Sequence, residues 1–360
     1  MTQENIPTVG EDGRAFRLDV PTMNVRIADY PEELKAPVLW LAGYLRENCQ
    51  RNVDILVNEA TALKINFDKT TWMKILRGRY QKDAQGNPVP SPVVNLNKLL
   101  RAINQLRQQN DLRELAGKVP FVMTPTAQSM WDFVDKKRAP DRVNKFGMIV
   151  GNTGCQKTAT LREYQRQHNH GAGAMVESPA NGSLSTFITD VAEKYGASRQ
   201  ANSERKQNTI RESFGAGNYL IVENVQRLYQ ERDKSNQKVF NFLQKLQDDT
   251  NGTIILTLTP VFVSKLKTRI AEGYFEQFIG RAGGERDILT LEEYPSQEDV
   301  LAIAESFKLR EAEKHVEELT KMVHEPGRIR VLFEALQEAK VQAGKKELTM
   351  ELIRAVRGED

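Results

Sequence analysis

Apolar residues in the first third of the chain recur at three- and four-residue spacings. From Pro37 onward, Val38, Leu41, Leu45 and Cys49 fall on one face and predict a helix. The same spacing predicts helices over Val53–Leu63, Thr70–Arg77 and Val94–Gln109, the last with Leu96, Leu99, Leu100, Ile103 and Leu106 as its stripe. The turn formers from Gly86 to Pro92 separate the last two. Residues 34–112 therefore read as an all-helical domain. Residues 1–33 mix proline, glycine and charge without a period, and are expected to form an N-terminal arm.

The pattern changes after a linker at 110–125 and a helix carrying Met130, Trp131 and Val134. Short apolar runs at Lys145–Val150, Ala174–Glu177, Tyr219–Val222, Thr253–Leu258 and Ile288–Leu291 read as strands. Helical stretches at Lys157–Gln167, Leu184–Tyr195, Ser203–Phe214 and Asn236–Gln247 alternate with them. Such alternation predicts an α/β domain over 113–295, a parallel sheet covered by helices. From 296 to 360 only helices are expected, and the Glu- and Lys-rich Gln297–Met322 reads as a solvated lid pair.

Composition narrows the class. With 39% hydrophobic and 28% charged residues, the chain has the profile of a soluble globular protein. A net charge of +3 is too small to identify a nucleic-acid partner by itself. The two cysteines, Cys49 and Cys155, exclude a disulfide framework and point to a reducing cytoplasm. No apolar run approaches the roughly 20 residues needed to cross a bilayer, and the first residues lack a signal-peptide pattern. The expectation is a cytoplasmic protein with no membrane partner.

The chemistry sits between the first strand and its helix, at Gly151-Asn152-Thr153-Gly154-Cys155-Gln156-Lys157-Thr158. A phosphate loop needs glycines so that backbone amides can wrap an anion, a lysine for the outer phosphates, and a hydroxyl for magnesium. The helix that follows points its positive end at the same anion. The loop is thus expected to bind ATP, with Thr158 on Mg2+. Gln156 stands where a glycine is expected, and an ordinary strand–turn–helix corner is the alternative.

The third strand ends in Glu223-Asn224. Glu223 takes the place of a magnesium-supporting acid and Asn224 that of the group polarising the attacking water. An amide cannot accept a proton as a general base does, so hydrolysis is expected to be slow or absent. The alternative for Glu223 is a strand cap.

Three stretches carry a family resemblance. They are Phe121-Val122 with Thr124, Thr126 and Trp131 leading into Gly151–Gly154; Leu161–Arg166 on the helix after the loop; and His324-Glu325-Pro326-Gly327-Arg328-Ile329-Arg330 with Leu332. Together they make residues 50 to 355 similar to the phage Mu transposition protein B family. That family comprises AAA+ ATPases that bind DNA and serve a transposase. The resemblance implies an AAA+ fold with a C-terminal helical lid and a helix-turn-helix module in front. It also implies ATP-dependent filaments on DNA.

By the same resemblance Arg330 is a second sensor that touches nucleotide from the lid, and Arg281 stands at the place of an arginine finger reaching a neighbouring subunit. A surface ion pair and a solvated turn are the bland alternatives for the two. Thr259 follows the fourth strand where the family carries an asparagine sensor. With Gln156, Glu223 and Asn224 it departs from the family's catalytic apparatus.

Between Lys64 and Arg107 there are nine Lys or Arg and only two acids, Asp68 and Asp83. The candidate recognition helix, Thr70–Arg77, packs through Trp72, Ile75 and Leu76 and offers Lys74, Arg77 and Arg79, with Lys69 just before it, to phosphates. A solvated basic face on a protein-docking domain is the alternative. Lys194, Arg199, Arg205 and Lys206 would line a filament interior in the resembling family. His168-Asn169-His170 lacks partners for a metal site, and Cys155 reads as a small filler.

The expected partners are double-stranded DNA, a transposase or other recombination protein, and further copies of the chain in a ring or filament. Two other classes stay open: a working DNA-stimulated ATPase remodeller, and a non-enzymatic regulatory or defence factor using the fold as an assembly scaffold.

Overall fold

The computed structural model describes residues 17–49, 51–83, 85–115, 121–168, 173–229, 237–271, 280, 288–344 and 346–358. The front part carries α1 (Val20–Arg26), α2 (Glu32–Glu47), α3 (Val53–Ala62), α4 (Lys69–Leu76) and α5 (Leu96–Leu115). Short polar side chains start most of them. Asp19 accepts from the Thr22 amide at 3.0 Å, Asn52 from Asp54 at 2.9 Å, and Asp68 from Thr71 at 2.7 Å. Val38, Leu41, Leu45 and Cys49 are all fully buried, as their shared face predicts.

Two expectations are corrected here. The helix expected from Pro37 starts at Glu32, behind Pro31, and holds Pro37 inside it. Proline is favoured at a helix start, which drew the boundary to the wrong one of two prolines. Of the expected arm, residues 1–16 lie outside the described residues, and the part that follows is not loosely tied. Leu18, Met23, Ile27 and Tyr30 are buried in the same core as Leu41 and Trp72. The Tyr30 hydroxyl donates to the Ile75 carbonyl at 2.6 Å and accepts from the Tyr80 amide at 3.1 Å. This segment therefore holds the end of α4. Gly78 is tied to it as well, because a β-carbon there would lie 2.3 Å from the Arg26 carbonyl oxygen.

The α/β part follows the predicted alternation. It runs α6 (Pro125–Arg138), β1 (Phe146–Val150), α7 (Lys157–His168), β2 (Gly173–Glu177), α8 (Leu184–Lys194), α9 (Ser203–Ser213) and β3 (Tyr219–Glu223). A 3-10 turn (Val225–Leu228), α10 (Lys238–Thr250), β4 (Thr253–Leu258), α11 (Pro260–Ala271) and β5 (Ile288–Thr290) complete it. The strand order is β2-β3-β4-β1-β5. β1 pairs in parallel with β4 (Val150 beside Leu258) and with β5 (Val150 beside Thr290), and β3 with β4 (Val222 beside Leu256). Strands β1, β3 and β4 are buried along their whole length, as parallel strands covered on both faces must be.

Beyond the sheet lie α12 (Gln297–Ser306), α13 (Ala312–Met322), α14 (Ile329–Ala343) and α15 (Met350–Arg357). Val300, Ile303, Leu319, Leu332 and Leu336 are among their shared core. Ser296 and Asp299 form a reciprocal capping box at the start of α12.

Backbone proximity divides the chain into two compact units. One comprises the described residues before Ala116 with His168–Ala174 and Ile188–Gly215; the other comprises Gly117–Gln167, Met175–Phe187 and Ala216–Asp360. α9 and the end of α8 thus belong with the front helices. The Val20 amide donates to the Tyr195 carbonyl at 3.1 Å, and Arg46 donates to the carbonyls of Leu18 and Lys194, each at 3.1 Å. Among the described residues no helix is long and apolar enough to cross a membrane.

Candidate nucleotide site

The eight-residue loop leaves β1 while still joined to the sheet, the Gly151 amide donating to the Leu258 carbonyl at 3.1 Å. Gly154 (φ +87°) and Gln156 (φ +60°) both adopt the left-handed region, turning the chain toward α7. Gln156 accepts that conformation without being glycine, at a cost of about 1–2 kcal/mol. Its carbonyl opens α7 by accepting from Thr160 at 2.9 Å. Its side-chain oxygen accepts from the buried Thr124 hydroxyl at 3.5 Å.

The Lys157 ammonium reaches back over the loop and donates to the carbonyls of Gly151 (2.6 Å) and Asn152 (2.7 Å). Burial lowers its pKa below the ordinary lysine value, opposed by Cys155 and Glu223 nearby. The loop's own carbonyls thus hold the cation. Asn152 is half-buried, and Thr153 and Thr158 are exposed. Cys155 is buried, its sulfur 3.9 Å from the Glu292 carbonyl oxygen, and burial pushes its thiol upward.

The ends of β1, β4, β3 and β2 lie side by side at one edge of the sheet, so residues far apart in sequence meet there. Glu223 closes β3 with only 4% exposure. Burial raises its pKa, and the Thr158 hydroxyl, which hydrogen-bonds to it, and then Arg162 oppose that shift. Its Oε1 is buried with no hydrogen-bond partner among the described residues. A desolvated carboxylate oxygen beside a hydroxyl is a fitting pair for a small hard cation, which takes oxygen ligands.

Asn224 sits in the left-handed region (φ +54°). Its amide donates to the Thr257 hydroxyl at 3.1 Å, and its side-chain nitrogen to Oε1 of Glu177, the last residue of β2, at 3.3 Å. Thr259 lines the same cavity, and its hydroxyl accepts from the Phe262 amide at 3.4 Å, capping α11.

The lid reaches the loop through a residue that sequence reasoning passed over. Arg328 donates to the Thr153 carbonyl at 3.0 Å and to the Glu293 carbonyl at 2.8 Å, and lies over the Tyr294 ring at 5.3 Å. Arg330, the expected sensor, is exposed and lines the cavity. Arg281, the expected finger, lies outside the described residues.

These parts border a cavity of about 670 Å³. Among the described residues four cations line it, Lys157, Arg162, Arg227 and Arg330, and no carboxylate does. Phe121, Ile329 and Phe333 supply an apolar stretch of wall. A cavity of that size, cationic in one part and apolar in another, can take a polyanion carrying a flat ring.

The basic candidates fall together in the first unit. Lys69 and Lys74 are exposed on α4, with Lys69 paired to Asp54 at 2.8 Å, while Arg77 and Arg79 are half-buried after it. Lys194 and Arg205 are exposed, and the half-buried Lys206 donates to Thr189 at 3.0 Å. Trp72 is fully buried, as expected of a core residue. No group of three or more metal-ligating side chains occurs among the described residues, and His170 lies outside them.

Besides Arg328, sequence reasoning missed Thr257 and Glu177. Both had a local signal, a polar residue inside an apolar strand and an acid closing one.

Residues 141–266 match a family model described as an AAA domain. The comparison with curated proteins finds no match. Among solved structures, the chain is similar to the Orc1 protein of Aeropyrum pernix in complex with DNA (TM-score 0.48, 14% identity, 68% of each chain covered). It is also similar to Cdc6p of Pyrobaculum aerophilum (TM-score 0.46, 15% identity, 68% of this chain and 69% of that one). A third similarity is to domain III of the Thermotoga maritima replication initiation protein DnaA (TM-score 0.45, 16% identity, 66% and 94%). With the five-stranded parallel sheet and the loop after β1, the AAA-domain match makes the fold that of an AAA+ P-loop NTPase.

Proposed function

We propose that this protein is an AAA+ regulator that binds ATP with magnesium, binds duplex DNA and assembles on it. In that reading it serves a transposase or another recombination protein, as the resemblance to the phage Mu transposition protein B family implies. The observation that carries it is the cavity beside the loop, lined by Lys157, Arg162, Arg227 and Arg330 with no carboxylate among the described residues of its walls. Several cations converging on one pocket favour a polyanionic ligand. The loop amides after Gly151, up to Thr158, and the positive end of α7 favour phosphate in particular.

Thr158 and the unpartnered oxygen of Glu223 are the groups suited to the magnesium that accompanies a triphosphate. Magnesium would supply charge neutralisation at the phosphates. Lys157 would exchange its two carbonyl partners for phosphate oxygens, and Arg330 would approach from the lid. The DNA part of the reading is supported by the exposed Lys74 on the capped helix α4, and by the inclusion of Lys194, Arg205 and Lys206 in the same compact unit. Phosphate neutralisation by such side chains gives affinity that falls steeply with salt.

The test is calorimetry of the full chain with Mg-ATP, followed by electron microscopy with duplex DNA and a non-hydrolysable ATP analogue. The reading expects saturable heat that Lys157→Ala abolishes, and rings or filaments on DNA. No heat and no thermal stabilisation at millimolar Mg-ATP would remove the nucleotide, while lone monomers on DNA would remove the assembly.

A further inference from the structure

Among the described residues no acid lines the cavity, and the residue at the expected base position, Asn224, is an amide. The side chain of Asn224 nevertheless leads to a carboxylate. Its nitrogen donates to Oε1 of Glu177 at 3.3 Å, and Arg227, also on the cavity wall, donates to the same oxygen at 2.5 Å. Both bonds fall on Oε1. Among the described residues no donor reaches the other oxygen, Oε2, and the Glu177 side chain is 58% exposed. One oxygen is held by two residues of the cavity wall, Asn224 and Arg227, and the side chain is otherwise largely exposed.

The backbone sets this arrangement. The Ser178 amide donates to the Glu223 carbonyl at 2.9 Å, which aligns the ends of β2 and β3. An acid ending β2 therefore stands beside an amide following β3. Glu223 itself is poorly placed to be the base. It is buried and engaged with the Thr158 hydroxyl, and the reading above gives it to the cation.

We propose that Glu177, held by Asn224 and Arg227, supplies the carboxylate that takes the proton from the water attacking the terminal phosphate of bound ATP. This rests on the nucleotide reading above and adds the residue that makes the site hydrolytic. The water oxygen forms a bond to the terminal phosphorus. The bond from that phosphorus to the bridging oxygen breaks, with its electron pair leaving on ADP. The water proton passes to Oε2 of Glu177, and the products are ADP and phosphate. Asn224 acts as a positioning residue, since its amide donates to the carboxylate and cannot itself accept the proton.

The experiment compares the full-length wild type with Glu177→Gln, which keeps size and hydrogen bonding but removes the basic oxygen. Mg-ATP affinity is read by calorimetry, phosphate release is followed in the presence of duplex DNA, and the nucleotide retained after gel filtration is identified. The expected result is affinity within about threefold of wild type, phosphate release lower by about a hundredfold or more, and recovery of intact ATP from the variant. Asn224→Ala is expected to lower phosphate release less than Glu177→Gln does, again with Mg-ATP affinity preserved.

Equal phosphate release by Glu177→Gln and wild type overturns the assignment. So does a wild type that binds Mg-ATP and releases no phosphate. A wild type that binds no nucleotide is a separate result: it overturns the nucleotide reading, and this assignment with it. Matching thermal unfolding of the variants and wild type excludes misfolding as the cause of a lost rate.

Discussion

Gly154 of the phosphate loop lies directly against Gly327 of the lid: a β-carbon built at Gly154 would fall 2.5 Å from the Gly327 carbonyl oxygen. Both residues have positive φ, +87° and +110°. The loop and the turn before α14 therefore touch backbone to backbone. Replacing Gly154 by alanine forces the two apart and adds a left-handed penalty of about 1–2 kcal/mol. The expected outcome is a lower melting temperature for the nucleotide-free protein and at least a tenfold loss of Mg-ATP affinity, read by thermal unfolding and calorimetry. Unchanged values in both would mean that the loop does not depend on this contact.

Arg328 and Arg330 should separate cleanly. Arg328 ties Thr153 to Glu293 through its guanidinium, so Arg328→Ala removes hydrogen bonds that exist before any ligand arrives. A destabilisation of about 1–3 kcal/mol is expected in the absence of nucleotide. Arg330 is exposed on the cavity wall. Arg330→Ala should leave unfolding unchanged and weaken Mg-ATP binding. Chemical denaturation alongside calorimetry checks both.

Glu223 carries a pH signature. Burial raises its folded pKa above the ordinary value of 4.5. The folded state therefore holds the proton to higher pH than the unfolded state. Stability from this group is greatest below the ordinary carboxylate range and declines as pH rises toward the folded value. Above that value the cost of the buried charge is complete. Glu223→Gln removes the charge, so the nucleotide-free variant should melt higher than wild type at pH 7 and differ least near pH 4. A buried charged group without a full set of partners costs about 1–3 kcal/mol or more, which bounds the gain. Magnesium should cease to improve the variant's ATP affinity. A variant that melts lower than wild type at pH 7 would contradict this account.

On α4, Lys74 is exposed while Lys69 is already paired with Asp54. Lys74→Ala should weaken duplex DNA binding about equally for all sequences and reduce the slope of log K against log salt by about 0.9, the release of one phosphate contact. Lys69→Ala should do less, because an exposed ion pair already engages that cation. Fluorescence anisotropy across a salt series distinguishes them. Equal slopes for Lys74→Ala and wild type would take α4 off the DNA.

The sequence carried what short windows encode. Alternation of apolar runs with helical stripes predicts a parallel α/β sheet, because a strand buried on both faces must be apolar throughout and its covering helices must be amphipathic. Glycines, a lysine and a threonine between a strand and a helix mark the loop for the same local reason. The arm was misjudged because α1 is short, and Met23 and Ile27 form too brief a pattern to register as a face. Pro37 misled because a proline's tolerance near a helix start does not say how many turns precede it.

The partners across the sheet were not legible. Glu177 and Asn224 are 47 positions apart, and Arg328 and Thr153 are 175 apart. Strand order alone decides that the end of β2 stands beside the end of β3, and lid packing alone decides which arginine of the Pro-Gly turn reaches the loop. Taken by itself, the sequence determined the elements, the loop and the acid-amide pair at 223 and 224. Only the tertiary structure decided which carboxylate Asn224 touches, since hydrogen bonds reach about 3 Å and nothing in a linear chain specifies which distant residues come that close.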